Sequence, residues 1–198
     1  MRRHINHINH ASLVDAINND FEAESKRGAF ATAVIGTYFL PSKTLSLINA
    51  GHPSPLIYHA STGKWSPQEL DSKSADSRNF PLGIQADQKY SSTKSKLKMG
   101  DLVLCFTDGL LEMERPDGSM LGKAGLLEIL AKLDPNNPSQ LITQLVQLLD
   151  PNDQLIGSND DLSMVLFRRN HQRVSLVDNV LAPIRAVKHL LQRLQSSE

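Results

Sequence analysis

Only one cysteine, Cys105, occurs in the 198 residues. An internal disulfide is excluded, and so is any metal site built from several cysteines. Cys105 lies in an apolar run and reads as a small core residue rather than a reactive thiol. Neither sign of charge is in excess, because 21 basic and 21 acidic residues cancel. No global field therefore points to nucleic acid or to an anionic membrane. The apolar runs are all far too short to span a bilayer. The opening Met-Arg-Arg-His-Ile-Asn-His-Ile-Asn-His has basic residues but no apolar core, so no secretory signal is expected. A cytoplasmic location fits these absences. What remains is 40% hydrophobic and 21% charged, an ordinary globular composition.

The stretch Gly100-Asp101-Leu102-Val103-Leu104-Cys105-Phe106-Thr107-Asp108-Gly109-Leu110 organises the rest. Leu102 to Phe106 is a continuous apolar run, the pattern of a strand buried on both faces. Thr-Asp-Gly ends it, and Leu110 to Arg115 are good helix formers. A carboxylate, Asp108, thus sits where a core strand hands over to a helix. Rigid elements at such a junction hold a side chain while its tip reaches solvent. Read locally, Asp108 is equally a helix N-cap.

Around that strand the periodicity changes several times. Ser12-Leu13-Val14-Asp15 resembles a capping box, and Leu13, Val14, Ile17 and Phe21 give a helical stripe that stops between Ala23 and Gly28. Phe30 to Leu40 and Thr44 to Asn49 read as a β-hairpin about Pro41-Ser42-Lys43. Leu56 to His59 is a further strand, Trp65 begins an edge strand, and residues 66–79 read as a loop. Phe80 to Ile84 is a compact apolar turn, and Lys89 to Leu97 a polar strand. Leu121, Leu126, Leu127, Leu130 and Leu133 make one helix. Leu141, Ile142, Leu145, Val146 and Leu149 make another, with Ser139 as its cap. Leu162 to Phe167 is a second buried strand. One helix, several antiparallel strands, two helices and a last strand make an α+β fold rather than alternating βαβ units. From Arg173 a long apolar stripe predicts an amphipathic helical tail, which either packs on its own domain or mediates dimerisation.

Two acidic positions stand out. Asp108 ends one buried strand, and Asp160-Asp161 precede another. If these strands are antiparallel neighbours, the carboxylates meet at one edge of the sheet. Carboxylates that close repel unless a cation lies between them. Oxygen ligands favour magnesium or manganese, while pairing with Lys or Arg is the structural alternative. His4, His7 and His10 recur at a spacing of three and read as an exposed helix end, with a transition-metal site as the remote alternative.

Four motifs in order resemble one family. They are Asn49-Ala50-Gly51-His52-Pro53-Ser54-Pro55-Leu56, then Pro81-Leu82-Gly83-Ile84, then Gly100 to Leu110, then Asp160-Asp161-Leu162-Ser163-Met164-Val165. The chain is similar over residues 12 to 169 to the metal-dependent (PPM-type) protein phosphatases, in the branch of stage II sporulation protein E and RsbU. The resemblance implies a largely antiparallel β-sandwich flanked by helices, with two manganese or magnesium ions at one edge. It implies Asp108 and Asp160 as metal ligands, Asp161 as a reserve, and no catalytic side chain beyond the ligands. His52 is given a loop-shaping role. Hydrolysis of phosphoserine or phosphothreonine is implied, with a phosphorylated anti-anti-sigma type protein as partner and a sensor or receiver domain upstream. The family's Asp-x-x-Gly-His-Gly loop occurs nowhere in the chain. The expectation is therefore a C-terminal portion of a phosphatase domain over 1–170 and a helical tail over 171–198, with uncovered sheet edges. A non-catalytic binding module on the same scaffold is the alternative.

Overall fold

The computed structural model describes residues 10–24, 28–40, 42–68, 79–115, 117–150 and 162–169. The helical tail, His4, His7, Asp160, Asp161 and most of the 66–79 loop lie outside the described residues. Helix α1 spans His10–Glu24. Strands β1 (Ala33–Phe39), β2 (Thr44–Ala50), β3 (Leu56–His59), β4 (Lys64–Pro67), β5 (Thr93–Lys96) and β6 (Leu102–Phe106) follow. Then come α2 (Gly109–Glu112), α3 (Gly122–Leu130), α4 (Pro138–Leu149) and β7 (Met164–Arg168).

The strands form two antiparallel sheets, β1-β2-β5 and β4-β3-β6-β7. Side chains of a strand alternate between faces, so each sheet has two to bury. On β2, Ile48 and Ala50 pack with Val14 of α1, Leu82 and Tyr90. Its other face sends Leu45 and Leu47 against Ile57 and Val103 of the second sheet. Leu102, Leu104 and Phe106 of β6 point the opposite way, onto Leu110, Leu126, Leu130, Leu141 and Leu145. The result is four layers: α1, sheet, sheet, and the α2–α4 group. Both β2 and β6 are covered on both sides; β6 accordingly runs apolar from Leu102 to Phe106, while β2 keeps Ser46 and Asn49, which hydrogen-bond to His10 and His52. Leu104 is fully buried between α-helices and neighbouring strands. Truncating such a leucine to alanine costs about 2–5 kcal/mol, a large share of a typical domain's stability.

The two sheets differ in width, with three strands against four. Gln68 and Ser95 join one pair of edges by a 2.9 Å hydrogen bond. At the other, Tyr38 meets Phe167 edge-on at 5.7 Å. Val165 and Phe167 pair in register with the inward-facing Cys105 and Val103, yet they are 65% and 39% exposed. This edge therefore leaves part of the inner face uncovered, an arrangement that sheet proteins normally shield.

Three local expectations change. Helix α1 is described from His10 and already contains Ser12, so Ser12 lies inside it rather than capping it. The reason is tertiary: His10 Nε2 meets Ser46 Oγ at 2.9 Å, and Asp15 accepts from the Tyr90 N–H at 2.8 Å. Helix α4 begins at Pro138, a favoured first-turn residue, and Ser139 instead donates to Asn137 Oδ1 at 2.9 Å. Helix α2 stops at Glu112 because Leu121 N–H donates to Met113 C=O at 2.7 Å, starting a bridge between Glu114 and Met120.

Candidate metal centre

The two strands prominent in the sequence lie side by side, but β7, expected to be buried, spans Met164–Arg168 as the last strand of its sheet, with Val165 and Phe167 exposed, because the narrower facing sheet leaves that edge uncovered. β6 and β7 are antiparallel, with Phe106 opposite Met164. The next pair closes the ladder differently. Thr107 N–H donates to Ser163 C=O at 3.0 Å, and Ser163 N–H donates to Thr107 Oγ1 at 3.0 Å. The side-chain oxygen replaces the Thr107 carbonyl, which accepts from Leu110 N–H at 3.2 Å. The strand can thus turn into α2 without abandoning its neighbour. Asp108 then stands just past the ladder, exposed, and its carboxylate accepts from Gly109 N–H at 3.2 Å. The N-cap role expected from the sequence is present.

On the β7 side, Leu162 precedes the clasped Ser163 and directly follows Asp161 in sequence. The ion pairs among the described residues are Lys89–Asp15 and Arg115–Glu128, and neither involves Asp108. An exposed carboxylate at the end of a rigid strand, without a basic partner among those residues, suits a hard cation. Among the described residues no group of three or more His, Cys, Asp or Glu could hold a metal ion.

Topology places further loops at this end of the sandwich. β3 runs antiparallel to β6, with Leu56 beside Leu104, so the turn before β3 faces the end where β6 gives way to Asp108. That turn is Gly51 to Pro55. Asn49 closes it twice, accepting from His52 N–H and donating to His52 C=O, both at 2.8 Å. Gly51 has φ +69°, and a Cβ there would lie 2.5 Å from Pro81. Only glycine fits both restrictions. The His52 ring meets Thr32 Oγ1 at 3.1 Å. These bonds shape the loop and anchor the ring.

The opposite end of β6 carries a carboxylate of another kind. Asp101 is buried and accepts from Ala60 N–H at 2.9 Å and Lys98 N–H at 2.6 Å. It ties the turn before β6 to the end of β3. Burial pushes the Cys105 thiol up, in keeping with a core residue. His10 is held below its ordinary value by burial and then by the Lys94 charge, and it serves as an anchor for α1. Its register with His4 and His7 lies outside the described residues.

One polar cluster had no counterpart in the sequence reading. Asn18 is fully buried in α1; its Oδ1 accepts from Gly83 N–H at 2.9 Å and Tyr90 O–H at 3.1 Å, and its Nδ2 donates to Gln85 C=O at 2.9 Å. An asparagine amid the apolar stripe of α1 was the available signal.

An antiparallel two-sheet sandwich between helices, with a carboxylate at the β6–β7 end, is the fold of the PP2C-type phosphatases. It is similar to the RsbU and RsbW domain structure from Mycobacterium tuberculosis (22% identity, TM-score 0.64), covering 85% of this chain and 44% of that one. The phosphatase domain of the cell fate determinant SpoIIE from Bacillus subtilis matches with 17% identity and TM-score 0.60, over 85% of this chain and 69% of that one. The SiaA PP2C domain of Pseudomonas aeruginosa matches with 17% identity and TM-score 0.64, over 81% and 61%. The chain thus spans 44% of the first of these structures. No curated protein matches. The sequence profile of the family described as Stage II sporulation protein E (SpoIIE) matches residues 3–170, and the chain belongs to that family.

Proposed function

We propose that this chain contributes part of a metal-dependent protein serine/threonine phosphatase of bacterial signalling. The carrying observation is the exposed Asp108 at the end of a buried strand, held beside β7 by the Thr107–Ser163 clasp. Asp108 and Asp160 would hold manganese or magnesium, with Asp161 in reserve. Bound there, the ions would activate water and neutralise phosphoryl charge. The donors are oxygens only, which suits both cations. The B. subtilis SpoIIE crystal was presoaked with Mn, and a similar RsbX structure was solved with magnesium. This chain's own contribution is positional. β6 cannot shift without disturbing Leu102, Leu104 and Phe106, so the carboxylate is held by the core.

The substrate would be a phosphorylated anti-anti-sigma type protein. The M. tuberculosis relative carrying both RsbU and RsbW domains supports a signalling partner of that kind. An upstream sensor or receiver domain and a cytoplasmic setting belong to the same reading. So do the division into 1–170 and a helical tail over 171–198, and dimerisation through that tail. The second reading is a non-catalytic binding module on the same scaffold.

The test is phosphate release from a serine-phosphorylated protein by the whole gene product, with and without manganese. Asp108→Asn is expected to lower the rate on the order of a hundredfold. Asparagine keeps the cap, so the melting temperature should hold. A rate that Asp108→Asn leaves unchanged sinks the assignment; metal-free partner binding without turnover favours the second reading.

A further inference from the structure

Strand β5 carries Lys94 and Lys96, both exposed and on the same side of the sheet. The strand register shows what lies beside them. Lys96 is opposite Thr44, which is opposite Phe39; Lys94 is opposite Ser46, which is opposite Thr37. Directly paired residues share a face, so these side chains form two adjacent rows across β1, β2 and β5. The face is the one that carries α1, since Ile48, two residues on from Ser46, packs with Val14. Helix α1 meets the rows at His10, its first described residue, whose Nε2 lies 2.9 Å from Ser46 Oγ. Lys43 joins them from the hairpin turn. It is exposed, and its C=O accepts from Leu97 N–H at 3.0 Å, next to Lys96.

Charge and shape narrow what binds there. The ion pairs among the described residues are Lys89–Asp15 and Arg115–Glu128, so Lys43, Lys94 and Lys96 have no acidic partner among those residues. Like charges so near one another repel, and an anion lying among them relieves this. The field reaches His10, whose ring is held below its ordinary value by burial and then by the Lys94 charge. Lys43 has φ +57°, a left-handed conformation that glycine adopts at less cost, so the turn keeps a lysine against its backbone preference. Phe39 is 62% exposed at the end of the Lys96 row. The adjoining sequence Met1 to Asn9 contains Arg2 and Arg3 and no carboxylate, so it adds to the positive charge.

We propose that Phe39, Lys43, Lys94 and Lys96 form a docking surface for an acidic segment of a partner protein that also carries an apolar residue. Carboxylates pair with the ammonium groups, and the apolar side chain covers the Phe39 ring. A nucleic acid suits the surface less, because the 21 basic and 21 acidic residues of the chain leave no general field for a polyanion. The surface is remote from the candidate metal centre. Ala33 pairs with Ala50 at the end of the hairpin that leads into Gly51 to Pro55, and Phe39 pairs with Thr44 at the other end. It therefore stands whether or not the phosphatase reading holds.

The experiment uses the whole gene product and two short fluorescent peptides, one alternating glutamate with leucine and one alternating glutamine with leucine. Anisotropy titrations are run with wild type, Lys94→Glu/Lys96→Glu, Phe39→Ser and Lys123→Glu/Lys132→Glu. The last makes the same change of charge at two exposed lysines in and just after α3. Thermal melts check folding, and Lys94→Gln/Lys96→Gln repeats the test without adding negative charge. A few exposed ion pairs predict about tenfold tighter binding of the glutamate peptide to wild type, lost at high salt. Lys94→Glu/Lys96→Glu should abolish that preference, and the α3 variant should keep it. Phe39→Ser should weaken both peptides severalfold and leave the preference in place. Equal or undetectable binding of the two peptides to wild type overturns the proposal. So does an equal loss in the α3 variant, which assigns the binding to overall charge. An oligothymidylate that binds wild type as tightly as the glutamate peptide, and is lost with the same lysines, also overturns it by assigning the surface to nucleic acid.

Discussion

Thr107 and Ser163 are joined by two hydrogen bonds of 3.0 Å, one through the Thr107 backbone and one through its hydroxyl. This pairing lets β6 end at Phe106 and α2 begin at Gly109, with two residues between them, while β7 stays in register. It also sets where Asp108 stands relative to the start of β7.

Replacing Thr107 by valine keeps the shape but leaves Ser163 N–H without its acceptor. The expected loss is about 1 kcal/mol, seen as a lower denaturation midpoint. Serine at the same place restores the acceptor and should recover most of it. If the clasp positions the metal centre, Thr107→Val also weakens manganese binding in a calorimetric titration, and Thr107→Ser does not.

Arg115 occupies the space that a side chain on Gly125 would need. A Cβ built at Gly125 meets the Arg115 guanidinium, and the guanidinium donates to Leu121 C=O at 3.2 Å. Alanine at 125 gains about 1 kcal/mol of helix propensity. Against that stands displacement of the arginine, with Leu121 Cδ1 only 2.9 Å from the new carbon. A net destabilisation of about 1 kcal/mol is expected. In an Arg115→Ala background the same change should be milder or stabilising. Urea unfolding of the four proteins measures the coupling.

Tyr90 is pushed up to about 12 by burial first and by the Asp15 charge second. Its neutral hydroxyl donates to Asn18 Oδ1 at 3.1 Å. The unfolded tyrosine loses its proton near pH 10, before the folded one does, so the unfolded state then binds fewer protons and stability falls as pH rises from about 10 to about 12. Tyr90→Phe should abolish that segment of the pH–stability curve. At neutral pH it should cost about 1 kcal/mol. Asn18→Ala should cost more, since Gly83 N–H and Gln85 C=O lose their partner as well.

Cys105 lies on the inter-sheet face of β6, and burial pushes its thiol up. Thiolate is the reactive form, so alkylation at pH 8 should be slow in the folded protein and fast in denaturant. Rapid labelling of the native protein would contradict the placement of the β6 inner face.

The strands were readable because β6 is an unbroken apolar run, β2 alternates Leu45, Leu47 and Asn49, and turns of Gly, Pro and Lys punctuate them. The hairpin of β1 and β2, the edge strand at Trp65 and the core role of Cys105 follow from that pattern. Helix starts were less readable. Ser12 and Ser139 have the chemistry of caps, but a cap bond is worth only about 1 kcal/mol. Contacts from Asp15 to Tyr90 and from His10 to Ser46 outweigh it. Asp108 was legible as a carboxylate at a strand end and as a cap. Its alignment with β7 depended on register across some fifty intervening residues, which local periodicity cannot supply.

The amino-acid sequence by itself determined the α+β class, the order of the elements and the family, because hydrophobic period and motif order are local properties of the chain. Only the tertiary structure decided the four-layer stack, the Thr107–Ser163 clasp and the Asn18 clamp beneath an exposed apolar turn. Those rest on pairings between residues 56 and 65 positions apart, whose partners become neighbours only when both sheets are packed.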